Sequence, residues 1–215
     1  MRVVIVGAGG HARSVIEALR SRACGLEIVA CTDPNRDLVG QLVDGVPVVG
    51  DDEHLPQLLA EGVTGACLGV GGVGDNGPRA RVFGRLRELG FELPQVVHAT
   101  AIVAASARLG AGTQVLAGAI VGAAATVGED VIVNSAAVVE HDCRIADHAH
   151  LATASALGGG TIVGEGAHVG IGACVLQGIS IGERALIGAG AVVIRPVGAD
   201  MLAVGCPASA RPRKL

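Results

Sequence analysis

Val115-Leu-Ala-Gly-Ala-Ile-Val121-Gly-Ala-Ala-Ala-Thr-Val127-Gly-Glu-Asp-Val-Ile-Val133 returns a branched aliphatic residue at every sixth position. The rhythm runs without a skip through seventeen positions from Val97 to Val193, taking in Val103, Leu109, Val139, Ile145, Leu151, Leu157, Val163, Val169, Val175, Ile181 and Ile187. An amphipathic helix repeats near 3.6 residues and a strand at 2, so neither yields a strict six. A coil with three short flat sides does, three hexads making one turn. The residue four places beyond each aliphatic is mostly small (Ala119, Ala125, Ala137, Cys143, Ala149, Ser155), which suits tight corners and a narrow interior. Gly directly after the aliphatic (Gly110, Gly122, Gly128, Gly158, Gly164, Gly170, Gly182, Gly188) is read as supplying backbone angles that other residues resist. The expected fold is a left-handed parallel β-helix of a little over five coils.

Upstream of residue 95 the rhythm is different. Arg2 to Val6 reads as a buried strand, Gly7-Ala-Gly-Gly-His11 as a turn, and Ala12 to Arg22 as a helix with Val15, Ile16 and Leu19 on one face. A strand over Glu27 to Thr32, another at Val46 to Val49, a helix from Asp51/Asp52 to Glu61, a strand from Gly65 to Val70 and a helix from Arg79 to Gly90 continue the alternation. About four strands alternating with helices imply a small parallel α/β domain of Rossmann-like type. The chain therefore divides into residues 1–95, an α/β domain, and 96–215, the β-helix with a C-terminal tail that opens at Val204-Gly-Cys-Pro207-Ala208 and carries Arg211, Arg213 and Lys214.

Composition narrows the function classes. The chain of 215 residues is 50% hydrophobic with 34 Gly and two Phe as its only aromatics, so it stacks aliphatics rather than clustering rings. A net charge of −4 with no basic run or aromatic platform argues against nucleic acid. No stretch of membrane-spanning length is free of charge, and Met1 leads straight into a strand rather than a signal peptide, so a cytoplasmic protein is expected. The six cysteines (Cys24, Cys31, Cys67, Cys143, Cys174, Cys206) form no Cys-x-x-Cys pair and are expected as buried thiols.

Two places carry chemistry. Gly7-x-Gly9-x-x-Ala12 after a strand, with Asp33 ending the next strand, nearly fits a dinucleotide fingerprint. With only about half of a dinucleotide domain present, a sugar-linked nucleotide diphosphate suits it better than a nicotinamide, and His11 is expected to face the ligand. The second place is Val139-Glu-His141-Asp142-Cys143. An imidazole beside small residues on the coil can act as a general base, and a neighbouring carboxylate can fix its tautomer and raise its basicity, although adjacent residues need not point the same way. Cys143 falls at a small inward corner and reads as structural. His150 and His168, one turn apart, should stack in one column. They and His148 are the candidates for a metal, but their spacing does not match the three-histidine zinc site of gamma-class carbonic anhydrases; no metal is expected, and His168 reads as a solvated or edge residue.

Gly7-Ala-Gly-Gly-His11, the unbroken hexads, His141-Asp142 followed nine residues on by His150, and the terminal Gly205-x-Pro207-Ala208 together resemble the nucleotide-sugar acetyltransferases of the sialic-acid O-acetyltransferase and bacillosamine N-acetyltransferase group. The resemblance implies a homotrimer that moves acetyl from acetyl-CoA to the 4-amino group of a nucleotide-linked 4-amino-4,6-dideoxy sugar, with GDP-perosamine as the favoured acceptor. It implies His141 as catalytic base and Asp142 as its acid neighbour. His150, Gly159, Ile171 and Ala189 would contact the coenzyme, and Gly9, Gly10, His11 and Asp33 the sugar nucleotide. Some relatives have a second acid after Asp33 where this chain has Pro34, which leaves guanine open as the base. A UDP-linked acceptor, O-acetylation of a sialic-acid-type sugar, and a non-catalytic trimeric scaffold are the alternatives.

Overall fold

The computed structural model describes residues 1–22 and 25–213; Cys24 and Lys214 lie outside the described residues. Strands β1 (Arg2–Val6), β2 (Glu27–Thr32), β3 (Leu42–Val43), β4 (Val46–Gly50) and β5 (Gly65–Leu68) form one sheet in the order β3-β4-β2-β1-β5. β1 is parallel to both β2 and β5 and is wholly apolar after Arg2, as a strand covered on both faces must be. Helix α1 (Gly10–Arg20) buries Val15, Ile16 and Leu19 as expected but begins two residues earlier than its sequence reading. α2 (Leu55–Ala60) follows a short 3-10 turn capped by Asp51, and α3 (Gly77–Leu89) ends at Gly90 in the left-handed region. The sheet also holds one strand more than expected: β3 pairs antiparallel with β4 across Asp44-Gly45.

From Val96–Val97 to Val192–Val193 the chain makes seventeen two-residue strands that sort onto three parallel sheets, giving the left-handed β-helix. Pairing is with the strand 18 residues on, as in Ile120↔Val138, Thr126↔Arg144 and Ile132↔His150. The hexad aliphatics fill the prism together with the small residues four places later, among them the fully buried Cys143. The glycines directly after the aliphatics serve a different purpose from the one expected. None has positive φ; the left-handed residue is the third after the aliphatic, whether Gly (Gly112, Gly160, Gly172), Ala (Ala124, Ala136), Asp (Asp130, Asp142) or His148. Gly after the aliphatic is needed because a Cβ at Gly122, Gly158 or Gly164 would press within about 3 Å of the backbone of the next coil.

The expected basic tail is a structured end. Met201–Val204 adds to the first sheet of the coil, and Ser209–Pro212 folds back on it antiparallel through a turn containing the cis Cys206-Pro207 bond. Two cysteines expected to be buried, Cys174 and Cys206, are exposed, because they project outward from the coil and from this turn.

The α/β domain sits on the first sheet of the coil, whose outward residues Val96, Gln114, Ile132, His150 and His168 are all buried. Arg79 of α3 forms a buried ion pair with Asp130 at 2.8 Å, and Asp130 also holds His148 at 2.9 Å. The outward residues of the second sheet, Ile102, Ile120, Val138, Ala156, Cys174 and Val192, are uniformly apolar and at least partly exposed. Among the described residues no helix is long and apolar enough to cross a membrane.

Candidate active site

His141 stands at the corner between the second and third sheets. Its Nδ1 donates to Asp142 Oδ2 at 2.8 Å, which leaves Nε2 as the bare nitrogen. The side chain is 64% exposed, and among the described residues Nε2 has no hydrogen-bond partner. The carboxylate bond holds the imidazole above its ordinary pKa. On the coil above, the ring lies against Gly159, where a Cβ would fall 2.6 Å from Nε2. The neighbouring Gly160 N–H is committed to the His141 carbonyl at 2.8 Å, whereas the Gly159 N–H has no backbone acceptor among the described residues. Base, orienting acid and a free amide donor thus share one small patch. Cys143 beside them points inward, its thiol against the Gly158 carbonyl at 3.4 Å, and burial raises its pKa; it is not placed as a nucleophile.

A groove of about 390 Å³ runs along the first sheet and its corner, lined by His150, His168, Ile171 and Ala189 on the coil side and by Gly72 to Gly74 on the other. His150 and His168 pair in register with ring centroids 4.8 Å apart. His168 is 5% exposed, so it belongs to the groove floor rather than to solvent, because the α/β domain covers the outward side of this sheet.

The third region is the crevice between β1 and β5, where the strand order changes direction, the usual ligand position in an open α/β sheet. Gly9 and Gly10 begin α1 with open space around both, and their N–H groups have no backbone acceptor among the described residues. Asp33 accepts from Ala8 N at 2.8 Å and Asn35 N at 2.9 Å, fixing the glycine turn. His11 does not point into the crevice as expected: its Nε2 turns to the coil and bonds Oε1 of the buried Gln114 at 2.7 Å, an amide held in place by its own donation to Leu68 O.

Residues 2–86 match the PglD N-terminal domain family. A perosamine N-acetyltransferase from Caulobacter crescentus, solved with CoA and GDP-perosamine, is 43% identical over 98% of this chain and 97% of its own, with a TM-score of 0.91. The acetyltransferase domain of PglB from Neisseria gonorrhoeae is 34% identical over 97% and 98%, with a TM-score of 0.88. WeeI from Acinetobacter baumannii shares the fold at 21% identity over 98% and 100%, with a TM-score of 0.84. No curated protein matches the chain. The chain belongs to the hexapeptide-repeat nucleotide-sugar acetyltransferases.

In this acetyltransferase the expected site residues fall into separate clusters. His141, Asp142 and Gly159 lie together; His150, Ile171 and Ala189 line the groove; Gly9, Gly10 and Asp33 surround the crevice. His150 lies on the side of the prism opposite the His141 corner, nine residues being half of an 18-residue turn, while Ile171 and Ala189 stand at the corner one side away. Burial drives the pKa of His150 down to about 3 and those of His168 and His11 to about 4, so all three are neutral and unsuited to take up a proton. Sequence reasoning missed Asn134, Gln114, Arg79 and the Gly71–Asp75 loop. The glycine-rich run Gly69-Val-Gly-Gly-Val-Gly74 was the available signal for the last of these.

Proposed function

We propose that the protein transfers acetyl from acetyl-CoA to the 4-amino group of a nucleotide-linked 4-amino-4,6-dideoxy sugar, with GDP-perosamine as acceptor. Residues 1–95 hold the sugar nucleotide and residues 96–215 the acetyl donor. The observation that carries this reading is the His141–Asp142 pair with Nε2 free beside Gly159, in a chain 43% identical to an enzyme captured with CoA and GDP-perosamine, also as a variant that replaces a histidine by asparagine. The groove fits the donor: its walls of Ala152, Ile171, Leu186 and Ala189 suit a thin, largely apolar pantetheine arm.

Acetyl-CoA supplies the activated thioester. His141 Nε2 takes the proton from the sugar amine as the nitrogen attacks, a contribution of about 10²–10⁴ in rate, and returns it to the departing thiol. Asp142 keeps the imidazole in the Nδ1–H tautomer and stabilises its cationic form. The Gly159 N–H donates to the oxygen on which charge develops.

The same reading calls for a homotrimer. A thioester lying in the groove is separated from its own chain's His141 by a full side of the prism, so the base comes from a neighbouring copy, and the apolar row Ile102, Ile120, Val138, Ala156, Cys174 and Val192 supplies a surface to bury between copies. The setting is the cytoplasm, where both substrates are soluble.

The test is thiol release from acetyl-CoA with GDP- and UDP-linked 4-amino-4,6-dideoxy sugars and with sialic acid. Turnover with GDP-perosamine that drops at least about 10³-fold in His141→Ala supports the proposal; turnover only with a hydroxyl acceptor replaces it with O-acetylation.

A further inference from the structure

The loop from Gly69 to Asn76 touches both substrate regions. Gly69 and Val70 lie against the glycine turn, where a Cβ at Gly7 would fall 3.0 Å from their backbone; Gly71 packs behind that turn on His11; and Gly72, Val73 and Gly74 form one wall of the groove. Val73 at the tip is 95% exposed, so the loop gains little from apolar packing of its own.

A relay that the acetyl transfer does not use ties this loop to the coil. Asn134 Oδ1 accepts the Ser135 N–H at 2.8 Å, which turns its Nδ2 toward His150 Nε2, 3.1 Å away. An amide nitrogen only donates, so Nε2 is the unprotonated nitrogen. Nδ1 therefore carries the proton and gives it to the Gly72 carbonyl at 2.8 Å. Both ends select the same neutral tautomer, and neither ring nitrogen is left for the coenzyme. Farther along the loop, Asn76 Nδ2 donates to the Gly166 and Ala167 carbonyls at 3.2 Å each, and Arg79 donates to Val70 O at 2.6 Å.

We propose that His150 is a positioning residue: through the Gly72 carbonyl it latches the Gly71–Asp75 loop where one side backs the sugar-nucleotide crevice and the other walls the coenzyme groove. The inference rests on the proposed acetyl transfer for the names of the two ligands, whereas the latch is a contact within one chain. The expectation that His150 contacts the coenzyme is thereby narrowed to ring-edge contact in the groove.

Hydrogen exchange of the amides over residues 71–77, read on the full-length protein beside steady-state kinetics, tests it. His150→Leu keeps bulk and loses the donor; His150→Asn keeps a donor near the place of Nδ1. Asn134→Asp leaves His150 intact, but its carboxylate accepts only, so it draws the imidazole proton to Nε2 and leaves the Gly72 carbonyl without a donor. Loop exchange should rise about tenfold in His150→Leu and Asn134→Asp and less in His150→Asn, with KM for both substrates rising about tenfold in the same order and kcat falling less than about threefold. Unchanged loop exchange in both His150→Leu and Asn134→Asp overturns the latch, as does a fall of about 100-fold in kcat at constant KM, which would put His150 on the reacting atoms. If the wild-type protein turns over no amino-sugar nucleotide, the acceptor assignment fails, and the exchange rates still decide the latch by themselves.

Discussion

Consecutive residues of an extended chain point to opposite faces, yet His141 and Asp142 meet at 2.8 Å. The left-handed backbone of Asp142, φ 59°, turns its carboxylate back beside the imidazole. The pairing was legible in the sequence as a possibility, and its geometry was not, because Gly, Ala, Arg and His fill the same corner position elsewhere. Asp142 raises the His141 pKa, and a general base works in its neutral form, so kcat/KM should rise with pH along a limb set by His141. Asp142→Asn removes the charge: the limb should move to lower pH, and the rate above it should fall about tenfold as the base weakens. A pH–rate profile of both proteins decides this, and an unmoved limb would uncouple the pair. Gly159→Ala is the complementary change. Its Cβ would displace the His141 ring, which is free to swing into solvent, so kcat/KM should fall about 100-fold while the melting temperature stays within a degree or two of wild type, roughly the spread of a neutral surface change.

The corners of the coil show what a repeat reveals and what it hides. The aliphatic every sixth residue is legible because each flat side has one inward position and only a branched apolar side chain fills it. The two conformational demands of the corner are harder to separate by residue type. Gly164 follows its aliphatic and would press a Cβ on backbone atoms of Gly182 and Glu183, while Gly172 has φ 64° with open space around it. Gly164→Ala should therefore cost about 1–3 kcal/mol, as overpacking does. Gly172→Ala should cost about 1 kcal/mol or less, the left-handed penalty of roughly 1–2 kcal/mol being offset by about 0.4–1 kcal/mol from the stiffer unfolded chain; Ala124 and Ala154 already adopt that conformation. Urea denaturation of the two variants separates them, and equal losses would mean that the coils slide apart to admit the extra carbon. The β3–β4 hairpin had its signal in Asp44-Gly45, a turn pair between apolar residues. The terminal hairpin had less, because its strand Ser209–Pro212 is exposed throughout and bears no alternating pattern.

At the scale of the whole molecule, the separation of His141 from His150 by half a turn could be read directly from the sequence. The docking of the α/β domain could not, because Arg79, Gln114 and Asp130 acquire their meaning only from partners far away in sequence. This contact also buries three histidines, and their titration gives the molecule an acid edge. His11, His150 and His168 are held to about 4, 3 and 4 by burial against an unfolded value of 6.5. Above 6.5 their contribution to stability is fully present; as pH falls below it, the unfolded chain takes up protons that the folded chain refuses, and stability is lost toward the folded values. His148, raised by Asp130, runs the other way: its contribution is fully present below 6.5 and fades as pH rises through its folded value. Of these four groups only the three with lowered values change below 6.5, so between pH 6 and 4.5 stability should fall by up to about 4 kcal/mol per pH unit, about 1.4 for each of the three. His168→Leu removes one of the three without disturbing the His150 relay, and its urea midpoints should show a slope with pH shallower by about a third. A slope identical to wild type would mean that His168 takes up its proton as readily in the folded protein as in the unfolded chain, and that the groove floor is open to water.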